Sequence, residues 1–196
     1  MTDESQARPR RKLWKFFVYP LAALAVLALG LVVLVALQPS GFSVSRSAVI
    51  DAPPEVVFPL VNDLHLWQKW SPWAKLDPNA KNMFKGPEAG TGAEFHWDGN
   101  SDIGEGIMTI TASDPMTRVA MRLKFIRPYE DECNVEFAFS PAESGKTKVV
   151  WSMQGENDFF GKAMCMCMDM DAMVGGDFEK GLKNLADAAA KHQAAD

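Results

Sequence analysis

The sequence predicts an α+β chain: a curved antiparallel β-sheet wrapped around a long C-terminal helix, preceded by one N-terminal transmembrane helix. Three observations predict it. Residues 16–37 carry no formal charge. Between Gly104 and Gly155 four successive segments alternate apolar and polar residues with period two, separated by Pro, Gly and Asp. Beyond Asp169 the apolar residues recur every three or four positions, the spacing of one helix face.

The apolar run is long enough, at about 1.5 Å per residue, to cross a bilayer core of roughly 30 Å. A cleavable signal peptide is the rival reading. Its apolar region is usually about 7–15 residues and ends at small residues, which Leu34-Val35-Ala36-Leu37 does not resemble, so an uncleaved anchor is expected. Arg8, Arg10, Arg11, Lys12 and Lys15 precede the run, and only Arg46 occurs in the twenty residues after it. This asymmetry predicts a single-pass protein of the cytoplasmic membrane, N-terminus inside and the rest outside, with Trp14 and Tyr19 in an interfacial belt. The expected divisions are a basic N-terminus (1–15), the transmembrane helix (16–38), a Pro-Ser-Gly linker (39–41), a folded domain (42–192) and a tail (193–196).

The exported part carries 15 Lys plus Arg against 23 Asp plus Glu, a net of −8. That charge repels phosphate backbones, so nucleic acid is not an expected partner. Cys133, Cys165 and Cys167 are too few for a disulfide scaffold, and a bridge between Cys165 and Cys167 would close a small, strained ring.

Within the domain, residues 42–50 alternate as a strand. Asp51-Ala-Pro-Pro-Glu55 then signals a helix start near Pro53, with Asp51 as the cap and Val56, Val57, Leu60, Val61 and Leu64 as the apolar face. Trp67, Trp70 and Trp73 crowd an irregular corner stopped by Pro72. Residues 90–99 supply a turn and a strand in which Phe95 and Trp97 share a face opposite Glu94, His96 and Asp98. Four strands follow. Their large face carries Met108 and Ile110; Val119, Met121, Leu123 and Phe125; Val135, Phe137 and Phe139; Val149, Trp151 and Met153. Arg118, Arg122, Lys124, Glu136, Lys148 and Ser152 occupy the wet face. Met170, Val174, Phe178, Leu182, Leu185 and Ala189 define one helix over about 169–191, with Gly175 and Gly176 each costing it about 1 kcal/mol of propensity.

Residues 42–192 resemble the SRPBCC superfamily (START-like, helix-grip, polyketide cyclase/dehydrase type), in particular its small membrane-anchored bacterial members. The resemblance is carried by Ala52-Pro-Pro-Glu-Val-Val-Phe58, Trp67-Gln-Lys-Trp-Ser-Pro-Trp73, Gly90-Thr-Gly-Ala-Glu-Phe-His-Trp97 and Asp177-Phe-Glu-Lys-Gly-Leu-Lys-Asn-Leu185. It implies an apolar cavity between sheet and long helix that takes a lipid or other hydrophobic small molecule, with no cofactor. The expected wall is Phe95, Trp97, Met121, Phe137, Trp151 and Met153 from strands and Met170, Met173 and Phe178 from the helix, with Trp70 or Trp73 near an entrance. Any one of these side chains, taken alone, is more simply explained as core.

Three other readings compete. A cyclase or hydrolase needs an inward titratable group, and His65, His96, His192, Asp169, Asp171, Arg127 and Tyr129 are weak candidates. A Cu(I) site could use Met164, Cys165, Met166, Cys167 and Met168 of the stretch "AMCMCMDMDAM" (residues 163–173), if it were extended. The same stretch reads more simply as the approach to, and first turns of, the C-terminal helix. A partner-binding role would use the tryptophan corner.

Overall fold

The computed structural model describes residues 13–194, so Arg8, Arg10, Arg11 and Lys12 lie outside the described residues, as do the side chains of Lys15 and Met170. Helix α1 (Leu13–Ala36) contains the apolar stretch Phe16–Ala36, of mean hydropathy 2.7, which is long and apolar enough to cross a membrane. Its described side chains are exposed except for Val35, near the C-terminal end.

After residues 37–40 the chain enters β1 (Gly41–Ile50). Helix α2 (Pro54–Asn62) starts at a proline as expected, but Asp51 does not cap it: the cap position is Pro53, and Asp51 pairs with Lys146 at 3.4 Å. The helix stops at Asp63, whose carboxylate accepts from the His65 amide (2.8 Å) and opens a second, four-residue helix, α3 (Leu64–Trp67). Leu64 is buried with the α2 residues but belongs to this next helix. Phe58 joins Val57, Leu60 and Val61 on the buried face, and Val56 lies at its margin.

Strand β2 (Lys81–Lys85) is absent from the sequence reading, for a physical reason. It is an outer strand on which only Phe84 is partly buried, so it has no alternation to detect. It pairs with β3 (Glu94–Asp98). The four predicted strands follow as β4 (Glu105–Asp114), β5 (Arg118–Arg127), β6 (Asp131–Pro141) and β7 (Thr147–Glu156). All pairings are antiparallel, in the order β1-β7-β6-β5-β4-β3-β2, so the first strand closes beside the last. Register shifts at Glu105/Gly106 and Ile110/Ala112 interrupt the β4–β5 ladder and bend the sheet.

The C-terminal third departs from one continuous helical approach. Helix α4 (Phe159–Cys167) is capped by Asp158, which accepts from the Gly161 amide (2.8 Å). The chain then extends at Met168 (φ −131°, ψ 135°). Asp169 caps α5 (Met170–Gln193) by accepting from the Ala172 amide (2.9 Å). Helix α5 packs on β1, β7 and α2, burying Phe178, Leu182, Leu185 and Ala189 at the predicted spacing. This is the helix-grip arrangement.

Candidate functional site

Alternation along β7 turns Trp151 toward α5, and in the ladder it stands opposite Arg46 of β1 and Phe137 of β6. Its ring stacks on Phe178 of α5 at a centroid distance of 4.0 Å and an interplanar angle of 9°. Phe137 lies 4.8 Å away, and Trp67, Trp70 and Trp73 present edges at 5.8, 5.7 and 5.9 Å. Gly181 permits this closeness, since a Cβ there would fall 2.6 Å from the Trp151 ring.

Several polar groups around the cluster are paired. Trp70 donates to the Leu60 carbonyl (2.7 Å) and Trp73 to Asp177 (3.3 Å), while the Asn184 amide donates to the Trp70 carbonyl (3.0 Å). The Trp151 indole N–H is buried among them without a hydrogen-bond partner. A donor left so costs about 1–3 kcal/mol.

At the margin of the cluster Arg46 locks β1 to the start of α5. Its guanidinium donates to both carboxylate oxygens of Asp171 (2.9 and 3.1 Å), to the Asp171 carbonyl (3.0 Å) and to Glu179 (2.9 Å). Gly175 makes room for it: a Cβ would lie 2.0 Å from Arg46 Nη2. Hydrogen bonding to Arg46 holds the Asp171 carboxyl below the usual carboxylate range.

Of the residues expected to line a cavity, the structure gathers Trp70, Trp73, Phe137, Trp151 and Phe178 into this one cluster. Trp70 is only 1 % exposed, inside the fold, and Trp73 is the half-buried indole at the rim. Met121 is buried in the sheet, and Met153 is half-buried two strands away, across Val135. Phe95 and Trp97 stack at 5.8 Å in a separate group with Phe84 and Phe125, near β2. Met173 points outward, 48 % exposed. The space between sheet and helix is occupied by side chains. An open hollow of about 420 Å³ lies along residues 165–169, and one of about 220 Å³ lies on the polar sheet face around Arg118 and Glu136.

Met164, Cys165, Met166 and Cys167 wind around α4, and Met168 sits in the break, so the extended sulfur face required for Cu(I) is not formed. Among the described residues no three His, Cys, Asp or Glu side chains converge as a metal site would need. His65 stacks on Phe84 and bonds Asp63, His96 pairs with Glu94, and His192 is exposed near the end of α5. Sequence reasoning missed Arg46 and Asp177. The available signal was a lone arginine on the inward register of β1, together with a Gly-Gly pair inside a helical pattern.

Solved structures with this arrangement include a protein from Thermobifida fusca, at 20% identity and TM-score 0.57, covering 76% of this chain and 94% of that one. The Aha1 dimer from Colwellia psychrerythraea matches at 17% identity and TM-score 0.54, covering 76% and 96%. The protein Ara h 8.0201 matches at 11% identity and TM-score 0.54, covering 80% and 99%. At such identities the likeness is one of fold. None of the curated proteins matches the sequence. The family described as polyketide cyclase / dehydrase and lipid transport matches residues 41–190, which span the whole sheet and nearly all of α5, and the chain belongs to it.

Proposed function

We propose that the chain is a membrane-tethered protein that binds a hydrophobic small molecule or lipid between the sheet and α5. The observation that carries this reading is the Trp151 N–H, a buried donor without an acceptor at the centre of an aromatic cluster. A ligand with one carbonyl or hydroxyl on an apolar body would satisfy it while replacing Phe178 against the ring. The family's description, which names lipid transport, supports the reading.

The test is native mass spectrometry of the detergent-solubilised full chain, with uptake of anilinonaphthalene sulfonate as a second readout. Wild type is expected to carry or take up a hydrophobe. Trp151→Phe removes the unpaired donor but leaves a cavity the size of the lost ring, so the two effects on stability oppose each other, while ligand retention should weaken. A chain that binds no hydrophobe by either measure overturns the reading. The proposed anchor is α1, with the N-terminus in the cytoplasm and the folded domain outside. A C-terminal reporter active only outside the cytoplasm is the expected result, and cytoplasmic activity reverses that orientation.

A further inference from the structure

We infer that α4, with the turn after it, docks into the surface of the bilayer that α1 crosses. The inference rests on the tether reading above. Helix α4 packs against α1, and the linker is held to the residues just before α4, where the Asn157 backbone N–H donates to the Ser40 carbonyl (2.7 Å). Residues 37–40 reach about 14 Å at full extension. If α1 spans, the folded domain is confined to the membrane surface with α4 on the side from which α1 emerges.

The exposed face there is apolar. Phe159, Phe160, Met164, Met166, Met168 and Met173 are each between 38% and 55% exposed. A water-facing helix rarely shows such a surface, whereas an interfacial helix requires one. Methionine suits it, being unbranched and adaptable to disordered chains. The helix itself is rigidly set, since Asp158 caps it and accepts from the Tyr129 hydroxyl, and the Tyr129 and Phe160 rings lie 5.5 Å apart.

Charge identifies the kind of surface. Lys162 is the one basic residue of α4, and Asp158, Asp169 and Asp171 flank it. The partner is therefore the apolar interface of a bilayer, entered without help from anionic headgroups. The segment with the most sulfur in the chain is thus a greasy foot, placed beside the start of α5.

The experiment uses the full chain in phosphatidylcholine vesicles, with and without phosphatidylglycerol. An environment-sensitive fluorophore is attached to Cys167 in Cys165→Ser, where buried Cys133 stays unlabelled. Companion probes on Leu27→Cys and Lys148→Cys, both lacking Cys165 and Cys167, report the middle of α1 and the polar sheet face. At Cys167 the expected result is loss of quenching by aqueous iodide and gain of quenching by nitroxide lipids labelled near the headgroup, equal in both lipid mixtures. Lys148→Cys stays open to iodide, and Leu27→Cys is quenched by deep nitroxides. Phe159→Asp with Met166→Asp, both surface changes, should expose the Cys167 probe without moving the Leu27 one. An iodide-accessible Cys167 probe with a buried Leu27 probe overturns the docking and leaves the tether standing. Dependence on phosphatidylglycerol also overturns it, and a water-exposed Leu27 probe overturns both readings.

Discussion

The Cys133 thiol lies in β6 at 2 % exposure, and burial, followed by the charges of Asp131 and Glu132, pushes its pKa from about 9.0 up to about 12. Cys165 and Cys167 stand exposed on α4. A thiol reagent at about pH 8 should therefore modify two of the three cysteines quickly and the third only on unfolding, because the thiolate is the reacting form. Three fast-reacting thiols in the native protein would contradict the burial of Cys133. The raised value also has a stability consequence. The folded state holds the proton more tightly, so the contribution is intact below the unfolded value and is lost as pH rises toward 12. A further test at the same scale is Phe178→Ala. It removes the ring stacked on Trp151 at 4.0 Å and should cost about 3–5 kcal/mol in denaturant unfolding, less if the cluster collapses onto the space.

Among the elements, α5 depends on a local device at its start. Asp169 accepts from the Ala172 amide at 2.9 Å, and Asp169→Ala should cost about 1 kcal/mol, measured as a shift of the unfolding midpoint, whereas Asp169→Asn or Asp169→Ser should restore most of it. The same residue shows how far the sequence was legible. The α5 face, from Phe178 through Leu182 and Leu185 to Ala189, and the faces of β4–β7 were readable because each buries one continuous side, so periodicity records the packing. Helix α4 was not separable, because it has no described buried residue and hence no phase against which a break at Met168 could register. Strand β2 was hidden for the same reason at the far edge of the sheet. In the site, Trp151 and Phe178 could be read as inward-facing, but that the buried Trp151 N–H lacks an acceptor, while Leu60, Asp177 and Ile103 supply them to Trp70, Trp73 and Trp97, is a long-range fact.

For the molecule as a whole, access to Trp151 requires part of α5 to leave the sheet, and the two ends of that helix are held differently. From Leu182 onward α5 is fastened by buried side chains. The turns before Leu182 are fastened to β1 by Arg46 through Asp171 and Glu179, with Gly175 admitting the guanidinium. The hinge of least cost is therefore the Arg46 end. Asp171 has its pKa lowered in the fold, so the clamp's contribution is present above the ordinary carboxylate range and disappears as pH falls through the folded value. Hydrogen exchange over residues 170–178 should accordingly be constant between about pH 5 and 8, after correction for the intrinsic rate, and should accelerate below about pH 4. Arg46→Ala should produce the same local opening at neutral pH, leaving residues 182–193 protected and speeding uptake of a hydrophobic fluorophore. Arg46→Lys should behave as a partial loss, since an ammonium cannot hold both Asp171 oxygens and Glu179 in one plane. Equal acceleration along all of α5 in Arg46→Ala would show that the helix opens as one unit and that Arg46 is a general brace. Faster exchange confined to residues 170–178 identifies that stretch as the part of the fold that opens over Trp151.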